Sequence, residues 1–391
     1  MNEYLPGLEG VPATRSNISF IDGEQGLLAY RGYSIEDLAE NSTFEETALL
    51  LLDGDLPTAE ELAVFDDQLR RNRRVKFNIR EMMKHLPPSG HPMDMLQSAV
   101  ASLGMFYAGR ECLTDADACE GLDYVHEMTV KILARMPVFV TMWEHIRKGY
   151  DPVPPRTDLG FAENFLHMFT GAEPDPFLAR ILDVCLILHA EHTINASTFA
   201  TLVTSSTLAS PYAVMSASIG TLAGPLHGGA NERVLDMLDE IGDPSRARTW
   251  LDRKLERKEK IWGMGHREYK VKDPRANILQ RLVMEFMERR QGHVSRRMEI
   301  ALALEEAAAE RLGPKGVYPN VDYYSGILYD MMDIPVDQFT PIFAVSRTAG
   351  WLAHWREQLG DNRIFRPTQV YTGEPVRPYR PMAERGDGQA E

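Results

Sequence analysis

The sequence has few of the features that mark secreted, membrane-spanning or zinc-binding proteins. Its three cysteines, Cys112, Cys119 and Cys185, are too few and too scattered for a disulfide framework or a zinc knuckle. No run approaches the roughly 18 apolar residues that a transmembrane helix needs, and residues 1–4 lack the basic-then-apolar pattern of a signal peptide. We therefore expect a cytoplasmic protein with reduced thiols.

Positive charge is also in short supply. The chain carries 42 Lys and Arg against 57 Asp and Glu, a formal net charge of −15 at pH 7. This balance disfavours binding to nucleic acid or to an anionic membrane surface. It does not exclude an anionic small substrate, because salt screens exposed charges beyond about 8 Å. With 391 residues and 44% hydrophobic content, the sequence indicates a globular protein of about two or three domains.

Strand patterns are scarce, and helical patterns dominate. The best strand signal is one hairpin, Ile18 to Ile21 and Leu27 to Tyr30 around a turn at 22–26. No strand–helix alternation and no internal repeat is visible, which argues against a doubly wound or TIM-type sheet. The sequence predicts a mostly α-helical protein with one small N-terminal hairpin.

Local signals place several helix starts. Thr43 with Glu46, and Thr58 with Glu61, read as capping boxes, and the second predicts a helix to about Arg71. A proline at the first helical position predicts another start. That start is Pro92. Further helical segments are predicted over 121–136, 137–148, 176–190, 197–209, 230–240, 245–259, 274–290, 294–312 and 340–359.

Two histidines stand at glycine-rich turns. His227 precedes Gly228 and Gly229 at the mouth of a predicted helix, where the helix dipole disfavours the imidazolium form. A neutral histidine there can donate a hydrogen bond to a developing enolate oxygen. His266 follows a Gly-x-Gly turn at 263–265, which alone is weak evidence for a phosphate contact. Plain turns with core histidines are the alternative interpretation of both segments.

One carboxylate is a candidate general base. Asp322 lies in the segment 319–326, next to two tyrosines and near a glycine. In a dry cleft, desolvation would raise its pKa towards the range that a general base needs. An ordinary aspartate in a turn is the alternative.

A histidine pair raises the question of a metal. His189 and His192 are three residues apart and share one helical face. Two such residues are half of a zinc site, but the sequence has no H-E-x-x-H motif and places no third ligand. A pair of buried, hydrogen-bonded histidines, or His192 pointing into a polar ligand pocket, are the other interpretations.

Three arginines are candidate ligands for carboxylates. Arg275 follows an Asp-Pro pair at a helix start and can clamp a carboxylate bidentately. Arg347 lies within an apolar helix, where a buried charge without a partner is rare. Arg366 precedes Pro367, which favours extended backbone, and a polar surface tail from 375 to 391 follows. Ordinary salt bridges are the alternative.

Together, these groups suit carbon–carbon bond formation between an enolisable thioester and a dicarboxylate keto acid. The carboxylate would remove the α-proton, and one neutral histidine would stabilise the enol. A second histidine would polarise the acceptor carbonyl, and the arginines would hold the carboxylates.

The chain resembles the citrate synthase family over nearly its whole length. Its length resembles that of the shorter bacterial and archaeal members, and its sequence, including residues 365–369, resembles cyanobacterial members. Three segments, 225–231, 265–275 and 319–322, and the order of seven residues carry the resemblance. Those residues are His192, His227, His266, Arg275, Asp322, Arg347 and Arg366.

The resemblance implies an almost all-α homodimer and leaves higher homo-oligomers open. A large domain would cover 1–224 and 332–391, a small domain would cover 225–331, and the active site would lie in the cleft between them. The implied reaction condenses acetyl-CoA, oxaloacetate and water to citrate and CoA through enolisation, aldol-type attack and thioester hydrolysis. CoA thioester is a substrate, so no cofactor or metal is implied, and neither is a nucleic acid or membrane partner.

The resemblance also implies a role for each residue. Asp322 would be the base, His227 the donor to the acetyl-CoA carbonyl and His266 the donor to the oxaloacetate carbonyl. The implied oxaloacetate ligands are His192, Arg275, Arg347 and Arg366 of the partner subunit. The implied CoA contacts are Lys270, Lys315 and the backbone of Trp262, Gly263, Met264 and Gly265.

Three other functions stay open at this point. A 2-methylcitrate synthase would use propionyl-CoA with the same residues, and one methylene in an acyl pocket is worth only about 1–3 kcal/mol of discrimination. A metal-dependent hydrolase would be built on His189 and His192. A non-enzymatic helical scaffold would leave the coincidence of histidines, arginines and Asp322 unexplained.

Overall fold

The chain folds almost entirely into helices, as predicted. A computed structural model describes residues 4–107, 121–289, 295–374 and 376–385, with side chains from residue 124 onwards in the second range. Within these residues there are sixteen α-helices and one three-stranded antiparallel sheet. None of the helices in the described ranges has the length and apolar character needed to cross a membrane. Cys185 is buried and forms no disulfide, whereas Cys112 and Cys119 lie outside the described residues.

The helices run through the described ranges from residue 35 to residue 360. The first eight are α1 (Ile35–Asn41), α2 (Phe44–Asp53), α3 (Ala59–Arg71), α4 (Phe77–Lys84), α5 (Pro92–Leu103), α6 (Gly121–Arg147), α7 (Phe161–Thr170) and α8 (Pro176–His189). The second eight are α9 (Ala196–Ser205), α10 (Pro211–Leu222), α11 (Ala230–Ile241), α12 (Ala247–Glu256), α13 (Pro274–Arg289), α14 (Arg296–Leu312), α15 (Val321–Met331) and α16 (Phe339–Gly360).

The N-terminal hairpin is confirmed. Strand β1 (Ser19–Asp22) pairs antiparallel with β2 (Leu27–Tyr30), and a third strand, β3 (Tyr33–Ser34), extends the sheet. With two residues, β3 is too short to show a strand period, so it was not predicted. The turn at Gly23 is pressed against the loop that follows His266, because a Cβ on Gly23 would lie 1.9 Å from the carbonyl oxygen of Glu268.

Capping signals predicted helix starts well. Thr58 and Glu61 form the full reciprocal capping box, and Pro92 is the first residue of α5. Thr43 accepts a hydrogen bond from the backbone N–H of Glu46, which is the first half of the predicted box.

The prediction of two helices over 121–148 was wrong. One 27-residue helix, α6, runs through Pro137. Proline removes one backbone hydrogen bond, but residues on both sides of it are buried against α5, α7 and α16, and this packing keeps the helix continuous. Five helices had no prediction, because they are short or lack a clear polar face: α1, α4, α7, α10 and α15.

Helix α16 forms the centre of the fold. Most of its 22 residues are buried, and it packs on α2, α6, α8, α9 and α10. Gly350 allows α16 to approach the turn after α8 closely: a Cβ there would lie 2.4 Å from the carbonyl oxygen of Ala190 and 2.3 Å from Oε2 of Glu191. The backbone N–H of Gly350 also donates to the Ala190 carbonyl at 3.1 Å. This approach brings the helix with Arg347 beside the segment with His192.

Candidate active site

Six of the seven residues that carry the resemblance lie in helices or in the segments that connect them, and they are brought together in the fold. They are His192 after α8, His227 before α11, His266 in the loop before α13, Arg275 in the first turn of α13, Asp322 in the first turn of α15 and Arg347 in α16.

Two of the histidines lie face to edge. The ring centroids of His192 and His266 are 5.0 Å apart, with the rings at 75°. Burial lowers the pKa of His266 to about 4, and the charge of Arg275 lowers it further in the same direction. Burial, then Arg275, also holds the pKa of His192 well below 6.5. Both rings are therefore neutral at pH 7 and can each donate one N–H.

The two arginines beside these rings are both 2% exposed. Arg275 forms a bidentate ion pair with Asp273, at 3.0 Å from Nε and 2.7 Å from Nη2. Arg347 has no carboxylate within salt-bridge distance in the described part of the chain. Its Nε donates to the carbonyl of His189 at 2.7 Å, and its guanidinium lies 4.7 Å from the Phe343 ring centroid.

The charge of Arg347 thus has no direct anionic partner among the residues that the structure describes. Burial lowers its pKa to about 10, so it remains a cation at neutral pH. A buried cation in this state favours an anionic ligand strongly, because burying an unpaired charge is costly.

His227 has a defined tautomer. The backbone N–H of Ser197 lies 3.2 Å from its Nε2, and the Ser197 hydroxyl lies 2.8 Å from the same atom. A backbone N–H can only donate, so Nε2 accepts and the ring proton is on Nδ1. Trp351 fixes the serine by donating to its hydroxyl at 3.2 Å. Burial lowers the pKa of His227 to about 4, which keeps it a neutral donor.

Asp322 has the properties of a general base. Burial raises its pKa to about 6, against the opposing charges of Arg275 and Arg347. Its carboxylate accepts no hydrogen bond from the residues that the structure describes. The alternative of a turn aspartate was wrong in its placement, because Asp322 lies in α15, whose N-cap is Asn320. Asn is a favoured N-cap residue, so Asn320, directly before Val321, was a signal for this helix start that the sequence contained.

The loop with the candidate CoA residues is bound to the segment before Asp322. The Gly265 N–H donates to the Tyr318 carbonyl at 2.7 Å, and the Asn320 N–H donates to the Gly263 carbonyl at 2.9 Å. The Asn320 side chain donates to the Gly265 carbonyl at 2.9 Å. Gly263 has φ of 72°, and a Cβ there would lie 2.9 Å from the Tyr323 ring. Three hydrogen bonds therefore fix the position of this loop relative to the segment that precedes Asp322.

The remaining candidate CoA residues lie on the surface beside this loop. Lys270 and Lys315 are exposed. A Cβ on Gly316 would lie 3.0 Å from the Lys270 carbonyl oxygen, so the two lysines belong to adjoining backbone segments. Trp262 is half-buried, with the Lys260 ammonium 4.1 Å from its ring centroid, and Met264 forms an isolated bridge with Pro319.

Two candidate groups are not part of this cluster. Arg366 is exposed, and its guanidinium bonds only the carbonyl of Pro367, at 3.2 Å, among the described residues. His189 is buried and its Nδ1 bonds the carbonyl of Cys185 at 2.7 Å. No group of three or more His, Cys, Asp or Glu within the described ranges is arranged to hold a metal ion.

Comparisons with known proteins identify the family of the chain. A family model described as "Citrate synthase, C-terminal domain" matches residues 7–368. The chain is 59% identical to a citrate synthase of Acidithiobacillus ferridurans over 98% of both chains. It is 52% identical to a citrate synthase of Synechocystis over 98% of this chain and 94% of the relative.

Solved structures give the same result. The crystal structure of citrate synthase from Pyrobaculum aerophilum aligns with a TM-score of 0.91 at 40% identity, covering 97% of this chain and 95% of that one. A citrate synthase from Thermoplasma acidophilum, in a ternary complex with carboxymethyl coenzyme A and oxaloacetate, aligns with a TM-score of 0.89 at 32% identity. That alignment covers 98% of this chain and 100% of that one.

Proposed function

The chain belongs to the citrate synthase family, and on that premise we propose which of its residues carry out the reaction. Citrate synthase condenses acetyl-CoA with oxaloacetate, and the expected family, fold and activity are confirmed by the full-length relatives. The assignment of individual residues is supported by the geometry of the cluster around Arg275 and Arg347.

Enolisation of acetyl-CoA is assigned to Asp322 and His227. A carboxylate whose pKa is raised to about 6 is a stronger base than an exposed aspartate and is still ionised at pH 7. His227 donates from Nδ1 to the thioester oxygen, where charge develops as the α-proton leaves. The single observation that supports this most directly is the Ser197 backbone N–H on Nε2 of His227, since it leaves Nδ1 as the donor.

Oxaloacetate binding is assigned to the other buried groups. Arg275 and Arg347 bind the carboxylates, and Arg347 is supported by the lack of an ion-pair partner among the described residues. His192 and His266, both neutral, donate to oxygens of the keto acid, and His266 polarises the carbonyl that the enol attacks. Thioester hydrolysis then releases CoA and citrate.

CoA is assigned to the loop and lysines on the surface of the same region. The backbone of Trp262, Gly263, Met264 and Gly265 would face the adenine, and Lys270 and Lys315 the phosphates. The exposure of both lysines and the nearness of their backbone segments support this assignment.

The two domains and the homodimer are part of the proposal. Helices α11 to α15 pack largely on one another, which supports a small domain over 225–331 and a large domain over 1–224 and 332–391. Arg366 would reach the active site of the neighbouring subunit, and its exposure is what this role requires. We also propose a cytoplasmic location, which the free thiol of buried Cys185 supports.

The decisive assay follows release of the CoA thiol with oxaloacetate and either acetyl-CoA or propionyl-CoA. A higher kcat/KM for acetyl-CoA is expected. A preference for propionyl-CoA would make the protein a 2-methylcitrate synthase. Activity that persists in strong chelators is expected, and its loss would favour a metal-dependent reaction instead.

A further inference from the structure

A tyrosine that has no role in the reaction above lies beside both of the histidines assigned to oxaloacetate. Tyr269 is 1% exposed. Its ring centroid is 4.8 Å from that of His266 and 5.7 Å from that of His192. Its hydroxyl oxygen is 3.2 Å from Nε2 of His192.

The backbone on either side of Tyr269 is held by the N-terminal hairpin. The Lys270 N–H donates to the carbonyl of Gly23 at 2.9 Å. A Cβ on Gly23 would lie 1.9 Å from the Glu268 carbonyl oxygen and 3.3 Å from the Tyr269 nitrogen, so only glycine allows this approach. The ring of Tyr269 is therefore placed by a tight backbone contact as well as by its own packing.

The hydrogen bond between Tyr269 and His192 has a defined direction. Burial raises the pKa of the Tyr269 hydroxyl, so it keeps its proton. Nε2 of His192 is the one acceptor within bonding distance of that hydroxyl among the described residues, and a buried O–H without an acceptor is costly. The hydroxyl therefore donates, and the single proton of the neutral His192 ring is on Nδ1.

We propose that Tyr269 is a positioning residue for oxaloacetate binding, which fixes the tautomer and the orientation of His192 so that Nδ1–H is offered to the substrate. In the other tautomer, Nδ1 would present a lone pair to an anionic ligand and repel it. The proposal rests on the assignment of His192 to oxaloacetate, and the experiments below separate the two.

The first test is Tyr269→Phe, which removes the hydroxyl and keeps the ring. The KM for oxaloacetate is expected to rise by about threefold to tenfold, the range for loss of one hydrogen bond. The KM for acetyl-CoA is expected to stay constant. Tyr212→Phe is the matched control, because its buried hydroxyl bonds Met128 Sδ at 3.0 Å in the large domain and should move neither KM.

A double-mutant cycle shows whether Tyr269 acts through His192. The variant with Tyr269→Phe and His192→Asn should have the oxaloacetate KM of His192→Asn alone, because the hydroxyl has nothing left to orient. Fully additive effects would show that Tyr269 acts in another way and would overturn the proposal.

The tautomer is measurable without any substitution. 15N NMR of histidine-labelled wild-type enzyme should show His192 with its proton on Nδ1, and Tyr269→Phe should lower that population. A proton on Nε2 in the wild type would overturn the proposal even if the variant failed to fold. If His192→Asn raises the oxaloacetate KM but Tyr269→Phe does not, the role proposed for Tyr269 is wrong and the assignment of His192 to oxaloacetate is kept. If His192→Asn has no effect on this KM, the assignment of His192 and the role of Tyr269 are both wrong.

Discussion

Glu191 and His354 form a buried pair, with Oε1 of the glutamate 3.1 Å from Nε2 of the histidine and neither side chain more than 1% exposed. Glu191 directly precedes His192, and His354 lies two turns beyond Arg347 on α16. Burial would raise the pKa of Glu191, but the interaction with His354 and further contacts outweigh it and lower that pKa. The pair thus joins two segments of the candidate site at a place that is closed to water.

Breaking this pair should destabilise the protein. His354→Ala removes one of the two side chains that hydrogen-bond the buried Glu191 carboxylate, the Ser19 hydroxyl being the other, and should cost about 1–3 kcal/mol in the free energy of unfolding. Guanidinium unfolding at fixed protein concentration measures this change in the free energy of unfolding. Arg71→Ala, which breaks an exposed pair with Asp67, is the control and should cost less than about 1 kcal/mol. Equal, small losses in both variants would contradict the structural role of the pair.

Replacing the base should stop the chemistry and spare binding. Asp322→Asn is expected to lower kcat by about 10²–10⁴, the usual contribution of general-base catalysis. Oxaloacetate affinity, measured by calorimetry, should hardly change, because Arg275 and Arg347 remain. Near wild-type turnover in this variant would rule out Asp322 as the base.

Activity should fall in acid as Asp322 takes up a proton. With a pKa of about 6 in the folded protein, kcat/KM for acetyl-CoA should decline by about tenfold per pH unit well below that value. A rate profile that stays flat down to pH 5 would contradict the raised pKa.

The same pKa predicts an effect on stability. A carboxyl whose pKa is raised on folding, from 3.8 to about 6 here, destabilises the folded state when ionised, and this cost disappears as pH falls through that range. Asp322→Asn should therefore raise Tm at pH 8 and give a smaller gain at pH 5. A loss of Tm at pH 8 would show that the carboxylate makes a stabilising contact instead.

Arg347→Leu should raise the KM for oxaloacetate strongly. Loss of a charge-assisted contact is worth about 10-fold to 100-fold in affinity. The KM of Arg347→Lys should lie between those of the wild type and Arg347→Leu, because lysine keeps the charge but cannot form two parallel hydrogen bonds. Unchanged affinity together with a large drop in Tm would make Arg347 a structural residue.

Mixing two inactive variants tests the shared active site. Asp322→Asn and Arg366→Ala, allowed to exchange subunits in equal amounts, form about half mixed dimers by the symmetry of an isologous dimer. Each mixed dimer has one intact site if Arg366 acts in trans, so activity should recover to roughly a quarter of wild type. No recovery despite proven exchange would contradict the shared site.

Local signals in the sequence predicted most of the fold but only part of the site. Thr58, Pro92 and the hairpin strands act on neighbours within a few residues, so their patterns were readable. The hydrogen bond from Tyr269 to His192 spans 77 positions in the chain. Only the folded backbone brings these two residues together, and no spacing rule foretold it.

The same limit explains the errors along α6. Pro137 is a local stop signal, whereas the packing that overrides it involves helices distant in sequence, such as α16. The role of Ser197 was hidden for a similar reason, because its partners His227 and Trp351 lie 30 and 154 positions away.

Gly350 is a position where a substitution chosen to increase thermostability would have the opposite effect. In the interior of a helix, alanine is favoured over glycine by about 1 kcal/mol, so a propensity-guided screen would choose Gly350→Ala early. The added methyl would collide with Ala190 and Glu191 and push α16 away from the histidine beside them. Gly350→Ala is therefore expected to lower stability, because the collision with the Ala190–Glu191 backbone outweighs the gain in helix propensity.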